Sequence, residues 1–366
     1  MLTDLSTEQK RIAVSITLLV FLIYCGFGIS VFPPLKLHEV IEFALWSGAI
    51  GFQVTGIWYL LSRIDRLFRE ELMPATCYPG DDILYTAMKR ILYNSEHFVV
   101  FITAFLSPFI IIELINIEIG NINLVSWLRP EIGYLGVFYD VFHYGVTFAN
   151  YVLLGTILWI LFSAVSVFRE IKYTRYGICD IVDIYCPDRV GGLSPAKKYL
   201  FSILYVFLVS VTLLLVSHIS ILSVLPAASD QGLSLYRYFR TIAWFCTLSI
   251  FSFLGVILTV IGLNRLCSIC VKKIEERIMG INERYRIFQE KLFSMSPDEP
   301  GMSEGEINNL RSVIEIYSNE REKLLRWHSE CSGINVGTAV KIFVAYIPPL
   351  VAIVFQVLQL LHYQPT

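Results

Sequence analysis

Seven long apolar stretches alternate with polar segments along the chain. Each stretch has about the 20 mostly apolar residues that an α-helix needs to cross a bilayer. The first stretch is longer than the apolar core of a signal peptide and no small-residue cleavage site follows it, so it is predicted to be an uncleaved span. The pattern predicts an all-α polytopic membrane bundle with about seven spans, at residues 12–32, 41–61, 98–117, 144–168, 200–225, 238–263 and 339–361.

The largest polar segment, residues 265–336, has the periodicity of a helical hairpin. Apolar residues step by four and three along two stretches, separated by a segment with Pro297 and Gly301, where helix is disfavoured. Ser303 and Glu306 form a capping box that restarts the second helix. The seam favours either packing within the chain or assembly with a second copy. Its members are Ile274, Ile278, Ile281, Tyr285, Phe288, Leu292, Ile307, Leu310, Ile314, Tyr317 and Leu324.

These patterns divide the chain into three parts. Residues 1–264 hold the first six spans, with polar linkers at 63–97 and 169–198. Residues 265–336 form the hairpin, and residues 337–366 hold the seventh span. The linkers follow the second and fourth spans and the hairpin follows the sixth, so all three are expected on the same side of the membrane as the N-terminus.

Composition agrees with a membrane location. Of the 366 residues, 55% are hydrophobic and 16% are charged, whereas soluble domains average about 45–50% apolar and about 25% charged residues. The lipid bilayer is therefore the predicted partner. The net charge of -2 gives no global field that would recruit nucleic acid, so no nucleic-acid partner is predicted.

Basic residues concentrate on one side of the predicted bundle. With the N-terminus inside, the inside segments hold 25 of the 29 Lys and Arg residues, and the positive-inside rule places such segments in the cytoplasm. The outside segments keep only Lys36, Arg129, Arg237 and Arg240. All eight cysteines are predicted to be cytoplasmic or intramembrane, as suits a reducing compartment. The prediction is a multi-pass protein of the cell membrane, with a cytoplasmic N-terminus and hairpin and an external C-terminus.

Polar side chains inside a span are costly and are functional candidates. Glu113 lies deep in the third span, where a buried carboxylate would bind a cation or carry a proton; the alternative is a span that ends earlier and leaves Glu113 at the interface. His218 lies in the fifth span, where a proton relay or pH gate competes with a plain interhelical hydrogen bond. Pro108 predicts a kink in the third span, with freed carbonyls facing a cavity. Glu113 and His218 would suit the midplane site of a secondary transporter.

The seventh span combines prolines with polar residues. Pro348 and Pro349 remove two backbone donors and predict a bend. Gln356 and Gln359 are three residues apart and share a helix face, which needs water or a polar neighbour inside a membrane. The two interpretations are a pore lining and a helix–helix hydrogen bond.

A motif of charged and turn-forming residues precedes the fifth span, and its members are Pro187, Asp188, Arg189, Gly191 and Gly192. The Pro-Asp pair starts a turn and the two glycines supply backbone freedom. Ser194 is predicted to cap the following helix, with Pro195 in its first turn. The string resembles the H-P-D-x-x-G-G-L signature of uncharacterised prokaryotic multi-span membrane proteins, with Cys186 where that signature has His. The resemblance implies a multi-span membrane protein and no particular activity.

The sequence lacks the familiar motifs of catalysis. The chain has no nucleophile elbow, H-E-x-x-H sequence or nucleotide-binding loop, so no enzyme is predicted. Cys267 and Cys270 form a lone C-x-x-C without accompanying His ligands, so neither a metal nor a cofactor is predicted. The patterns favour a homo-oligomeric ion channel or membrane sensor, assembled through the 265–336 hairpin. A secondary transporter and an intramembrane enzyme are the alternatives.

Overall fold

Every element in the described part of the chain is helical. The computed structural model describes residues 7–31, 37–67, 71, 83–119, 133–171, 193–222, 231–294, 304–331 and 336–362. The helices are α1 (Thr7–Val31), α2 (Leu37–Arg66), α3 (Ile83–Leu92), α4 (Ser95–Ile119), α5 (Gly133–Ile171), α6 (Ser194–Leu222), α7 (Gln231–Ser294), α8 (Glu304–Cys331) and α9 (Val336–His362). The predicted all-α class is confirmed.

Seven of the described helices are long and apolar enough to cross a membrane, namely α1, α2, α4, α5, α6, α7 and α9. They coincide with the seven apolar stretches that the sequence predicts. Of the other two, α3 has only 10 residues, and α8 carries charged residues along its whole length. The chain is therefore a multi-pass membrane protein with an additional helix paired outside the spans.

The membrane helices from α1 to α7 alternate in direction, as their mutual contacts show. Between α2 and α6, the Tyr199 hydroxyl donates to the Leu60 carbonyl oxygen over 3.2 Å, while Gly56 approaches Val206. Rising residue numbers on α2 therefore meet falling numbers on α6. α1 and α2, α4 and α5, α4 and α7, and α6 and α7 are antiparallel by the same criterion. The contacting pairs are Thr17–Gly51, Tyr24–Phe43, Phe98–Trp159, Phe109–Tyr151, Phe105–Phe251, Phe109–Trp244, Phe207–Gly255 and Leu200–Gly262.

The two ends of the bundle differ in shape and in charge. α7 has 64 residues and continues beyond the bundle to pair with α8; we call the end where it emerges the hairpin end. Because the helix directions alternate, α1 and α6 begin at this end, whereas α2 and α5 finish there. Arg63, Arg66, Lys197 and Lys198 therefore lie at the hairpin end.

The centre of the bundle is formed by α5 and α6. Within their apolar windows 72% of α5 and 61% of α6 is buried, against 17% for α1, α4 and α9. Glycines bring α7 close to this centre. A Cβ atom added to Gly255 would lie 2.5 Å from the Phe207 ring of α6, and one on Gly262 would lie 2.9 Å from Val165 of α5. Such close packing is a main attraction between helices in lipid.

Proline positions in α4 and α9 do not end either helix. Pro108 lies inside α4 and cannot donate to the carbonyl of Ala104, four residues earlier. The Ser107 hydroxyl donates to that oxygen instead, over 2.8 Å. The freed carbonyl thus accepts a hydrogen bond within its own helix, and the kink and cavity at Pro108 stay predictions. α9 likewise continues through Pro348 and Pro349.

The seam of the hairpin packs within the chain. Ile274 and Ile281 of α7 and Leu324 of α8 are each 1% exposed. Phe288 stacks on Tyr317 with ring centroids 5.7 Å apart. Seam residues of α7 and α8 are therefore in contact within one chain. Assembly of the hairpin with a second copy stays a prediction.

Two helix starts can be compared with the predicted caps. α6 begins at Ser194, and the Lys197 backbone N–H donates to the Leu193 carbonyl oxygen over 3.1 Å. Because the N-cap carbonyl accepts the first helical bond, the N-cap is Leu193, one residue before the predicted Ser194. α8 begins at Glu304, directly after the predicted cap Ser303, which itself lies outside the described residues.

Candidate functional site

The four intramembrane candidates from the sequence belong to three different helices. Glu113 is in α4, His218 is in α6, and Gln356 and Gln359 are in α9. Their side chains lie outside the described part of the structure, so their predicted roles stay predictions. The motif at residues 187–192 also lies outside the described residues.

α9 lies at the periphery of the bundle. Val351 and Phe355 are more than half exposed, whereas the neighbouring Ala352 is buried. Its described polar contact to the bundle joins the Tyr346 hydroxyl to the Ser252 hydroxyl of α7 over 3.3 Å. A pore lined by α9 would therefore need neighbouring copies of the chain to enclose it. A path inside one chain must lie among the central helices.

Polar residues follow one face of α5. His143, Thr147 and Asn150 are spaced by four and three residues, so they share a helix face. Trp46 of α2 lies against this face, since the Asn150 amide donates to the Trp46 carbonyl oxygen over 3.4 Å and the Trp46 and His143 rings meet at 6.0 Å. Gln53 follows Trp46 by two helical turns on the same face of α2. We call His143, Thr147, Asn150 and Gln53 the polar stripe.

Asn150 is buried with only part of its amide satisfied. Its exposed fraction is 0%, and its nitrogen donates to the Val146 carbonyl oxygen over 3.0 Å as well as to Trp46. Among the described residues, neither the Asn150 side-chain oxygen nor the Thr147 hydroxyl has a hydrogen-bond partner. A buried polar atom without a partner costs about 1–3 kcal/mol. The face of α5 thus presents two oxygen acceptors that the described protein does not satisfy.

Gln53 is the least satisfied polar residue of the stripe. Its exposed fraction is 0%, and within the described part of the chain neither its amide nitrogen nor its amide oxygen has a partner. Two turns before it, α2 faces α5 through Trp46; one turn after it, Gly56 approaches Val206 of α6. Gln53 therefore lies on the face of α2 that is directed toward the centre of the bundle.

Several other buried hydroxyls are satisfied within their own helices, although those of Ser47 and Ser163 have no partner among the described residues. Thr55, Ser210 and Thr259 each donate to the carbonyl oxygen four residues earlier in their own helix, over 2.6, 2.7 and 2.9 Å. This local bond is a common way for Ser and Thr to lie in apolar surroundings. An amide cannot satisfy both its donor and its acceptor in this way. Gln53 and Asn150 therefore need a partner from outside their own helices.

The stripe extends through much of the membrane thickness. His143 lies nearest the end opposite the hairpin, with its Nδ1 atom 3.2 Å from the Tyr24 hydroxyl of α1. From His143 to Asn150 the helix rises about 10 Å, and from Trp46 to Gln53 it rises about 10 Å more. The stripe thus covers about 20 Å of a hydrocarbon core that is about 30 Å thick.

Sequence reasoning did not single out Gln53 and Asn150. A neutral amide in a span costs less than a charge and is often bonded to a neighbouring helix, so charged residues attract attention first. Two signals were present: the position of Gln53 well inside the 41–61 span, and the heptad-like spacing of His143, Thr147 and Asn150. The lack of partners is visible only in the folded bundle.

The described residues offer no group of three or more His, Cys, Asp and Glu side chains that could hold a metal ion. Cys267 and Cys270 of the C-x-x-C pair are not joined by a disulfide, and Cys270 is buried. The polar stripe consists of neutral oxygen and nitrogen groups and one imidazole. Its chemistry is that of hydration and weak ion binding.

Comparisons with known proteins were made at three levels. No protein-family model matches the chain, and neither a curated protein nor a solved structure shows significant similarity. The likeness of residues 186–193 to the H-P-D-x-x-G-G-L signature therefore stays a prediction. The function has to be argued from the geometry of the site.

Proposed function

We propose that the protein is a cation channel whose path follows the polar stripe between α2 and α5. The observation that supports this best is Gln53, whose whole amide is buried in the bundle without a partner among the described residues. Buried polar groups are normally satisfied by protein or by ordered water. Lipid cannot satisfy them. Water or an ion that reaches Gln53 has crossed a large part of the membrane.

The chemistry of the stripe favours a small monovalent cation. Gln53, Asn150 and Thr147 offer amide and hydroxyl oxygens, which replace the hydration shell of such ions in selective pores. A divalent ion such as Ca²⁺ is usually held by carboxylates, and the stripe has none. The permeant species is therefore a hydrated monovalent cation that exchanges part of its water for these oxygens.

This path lies within a single chain. Assembly through the 265–336 hairpin is not required for it, so the homo-oligomer becomes a separate question. A path lined by Gln356 and Gln359 would require neighbouring copies, because α9 is peripheral. The stripe is the simpler path, since one folded chain encloses it.

The hairpin end is proposed to face the cytoplasm of a cell-membrane protein. Arg63, Arg66, Lys197 and Lys198 lie together at this end, because α2 finishes where α6 begins. Basic segments near span ends are retained on the cytoplasmic side. The end of the stripe near His143 then opens toward the outside.

Electrical recording in planar bilayers tests the channel. The purified chain is compared with Gln53→Met, which removes the amide at similar volume, and with Asn150→Leu. Thr156→Val is the matched control, because the Thr156 hydroxyl already donates to the Val152 carbonyl oxygen of its own helix over 2.8 Å. The wild-type chain and the control should carry K⁺ or Na⁺ current, and both stripe variants should reduce it strongly.

Three outcomes would argue otherwise. A wild-type chain that carries no current under voltage, pH change or membrane tension refutes the channel. Equal currents in all variants move the path away from the stripe, and Gln356→Leu combined with Gln359→Leu then tests α9. The transporter alternative predicts that Glu113→Gln abolishes flux while the stripe variants matter little.

A further inference from the structure

A second polar feature lies at the hairpin end of α2, separate from the stripe. A cavity of about 220 Å³ is lined by Tyr59, Ser62, Arg63, Arg66 and Glu71. A water molecule occupies about 30 Å³ in the liquid, so the cavity has room for a phosphate group and some water. The apolar span of α2 finishes at Arg66. The cavity therefore lies where a span meets the lipid headgroups.

Arg63 is held beside this cavity by neutral groups. Its Nη1 donates to the Tyr59 hydroxyl and to the Ser202 hydroxyl of α6, the latter over 3.4 Å. The guanidinium carbon also lies 5.8 Å from the centre of the Tyr59 ring. Among the described residues no carboxylate pairs with Arg63. Within the described part of the chain, its charge is therefore oriented by neutral groups.

Tyr59 adds a directed donor. The residue is 6% exposed, and its oxygen accepts the Arg63 hydrogen bond. A phenol that accepts one hydrogen bond still has its own proton to donate. Arg63 and Tyr59 therefore form a ready pair of donors for an anionic oxygen at the cavity wall.

The described lining of the cavity contains both positive and negative side chains. Arg63 and Arg66 contribute two positive charges to the lining, and Glu71 contributes one negative charge. The negative end of the α2 dipole lies here, but α6 begins at the same end, and dipole ends of about half a charge each offset one another. The described part of the lining thus combines two guanidinium groups with one carboxylate.

We infer that this cavity binds a phosphate ester that carries an ammonium group close to the phosphate. The phosphate oxygens accept from Arg63 and Tyr59, with Arg63 forming the charge-assisted bonds that arginine makes with phosphate, and Arg66 adds a second positive charge to the lining. The ammonium group pairs with Glu71. The headgroup of phosphatidylethanolamine has this chemistry and surrounds the site in a membrane; soluble phosphoethanolamine has the same groups. This site does not depend on conduction through the stripe.

Lipid binding to the full chain in detergent tests the site by native mass spectrometry. The probes are phosphatidylethanolamine, phosphatidylglycerol and phosphatidylcholine, with soluble phosphoethanolamine as competitor. The variants are Arg63→Gln and Glu71→Gln. Arg11→Gln is the matched control, because it also removes one positive charge at the hairpin end, from an exposed position at the start of α1.

The wild-type chain should prefer phosphatidylethanolamine to both other lipids. Arg63→Gln should weaken its binding about tenfold or more, as expected for loss of a hydrogen bond to a charged group. Glu71→Gln should remove the preference over phosphatidylglycerol, and Arg11→Gln should change neither. Displacement by soluble phosphoethanolamine identifies the headgroup alone as the ligand; without displacement, the acyl chains contribute and the ligand is the lipid.

Two results would overturn the site. One is equal binding of the three lipids by the wild-type chain; the other is wild-type affinity in Arg63→Gln. If Arg63→Gln does not fold, Tyr59→Phe replaces it, because it removes only the hydroxyl and keeps the buried ring. Unchanged phosphatidylethanolamine affinity in a folded Tyr59→Phe chain would also count against the inferred geometry.

Discussion

The guanidinium of Arg265 donates a hydrogen bond of 2.9 Å to the carbonyl oxygen of Val165. This bond joins α7 to α5 at the hairpin end, one turn beyond the close approach of Gly262 to the same valine. Arg265→Met keeps a long side chain but removes the donor. Its free energy of unfolding in detergent should fall by about 1.5–3 kcal/mol, the usual range for a hydrogen bond to a charged group. Arg311→Met, at an exposed site on α8, should change stability little; equal losses would show that the bond has no net effect.

Two glycines should respond in opposite directions to the same substitution. A Cβ atom on Gly255 would lie 2.5 Å from the buried Phe207 ring, whereas one on Gly280 would meet nothing within 4 Å. Gly255→Ala should therefore lower the melting temperature, because it pushes α7 away from α6. Gly280→Ala should raise stability by about 1 kcal/mol, since alanine is the better helix former. Thermal unfolding of both variants in one detergent checks the contrast, and a shift of the same sign in both would contradict it.

The carbonyl of Ala104 gives a double-mutant test. Ser107→Ala removes the hydroxyl that bonds to this carbonyl, and in lipid an unsatisfied carbonyl is costly. Pro108→Ala restores the backbone N–H that normally fills this role. Ser107→Ala should therefore destabilise the wild-type chain by about 1 kcal/mol and should cost much less in the Pro108→Ala background. Additive effects in unfolding measurements would mean that Ser107 does not compensate for Pro108.

The hairpin offers a buried and an exposed isoleucine on the same helix. Ile281 is 1% exposed and Ile287 is 52% exposed. Ile281→Asp should separate α8 from α7, because the carboxylate must be buried or must force the helices apart. Faster hydrogen exchange along α8 would report this, and Ile287→Asp should leave exchange unchanged. Native mass of the same variants tests the predicted homo-oligomer: a smaller species for Ile281→Asp supports it, and an unchanged mass with an intact bundle removes it.

Orientation can be measured with single cysteines in a background without native cysteines. A cysteine at Asn319, exposed on α8, should react with an impermeant thiol reagent only after lysis. One at Asn121, between α4 and α5, should react in intact cells. The reverse pattern would show the opposite topology, and the cavity beside Arg63 would then face the outer leaflet.

The helices were predictable because each span is a long apolar run, a signal that needs no tertiary information. α3 was not, since its 10 residues are too few for a span and its place depends on packing. The Trp159 indole nitrogen donates to the Leu92 carbonyl oxygen at the end of α3, over 3.0 Å. That contact joins residues far apart in the chain, and no local pattern encodes it.

The candidate site was harder to predict than the fold. Glu113 and His218 draw attention because their residue types are unusual inside a span. Gln53 and Asn150 are candidates because their amides have too few hydrogen-bond partners. Whether a partner is present depends on the packing of all the neighbouring helices. Arg63 was counted with the basic residues that set orientation; its role beside Tyr59 follows from the antiparallel contact of α2 with α6.

α7 has 64 residues and no proline, so at 1.5 Å per residue it is a rod about 96 Å long. Helices bend sharply only where a proline, a bulge or an inserted group interrupts the backbone bonds. Arg265 divides this rod near its middle. Sideways movement of the tip beyond the bundle should therefore produce an opposite movement of similar size at the far end, as in a see-saw. Binding of a protein to the hairpin, or a change in the pairing of α7 with α8, would then move the other end of α7 on the opposite side of the membrane. No flexible segment within α7 would be needed.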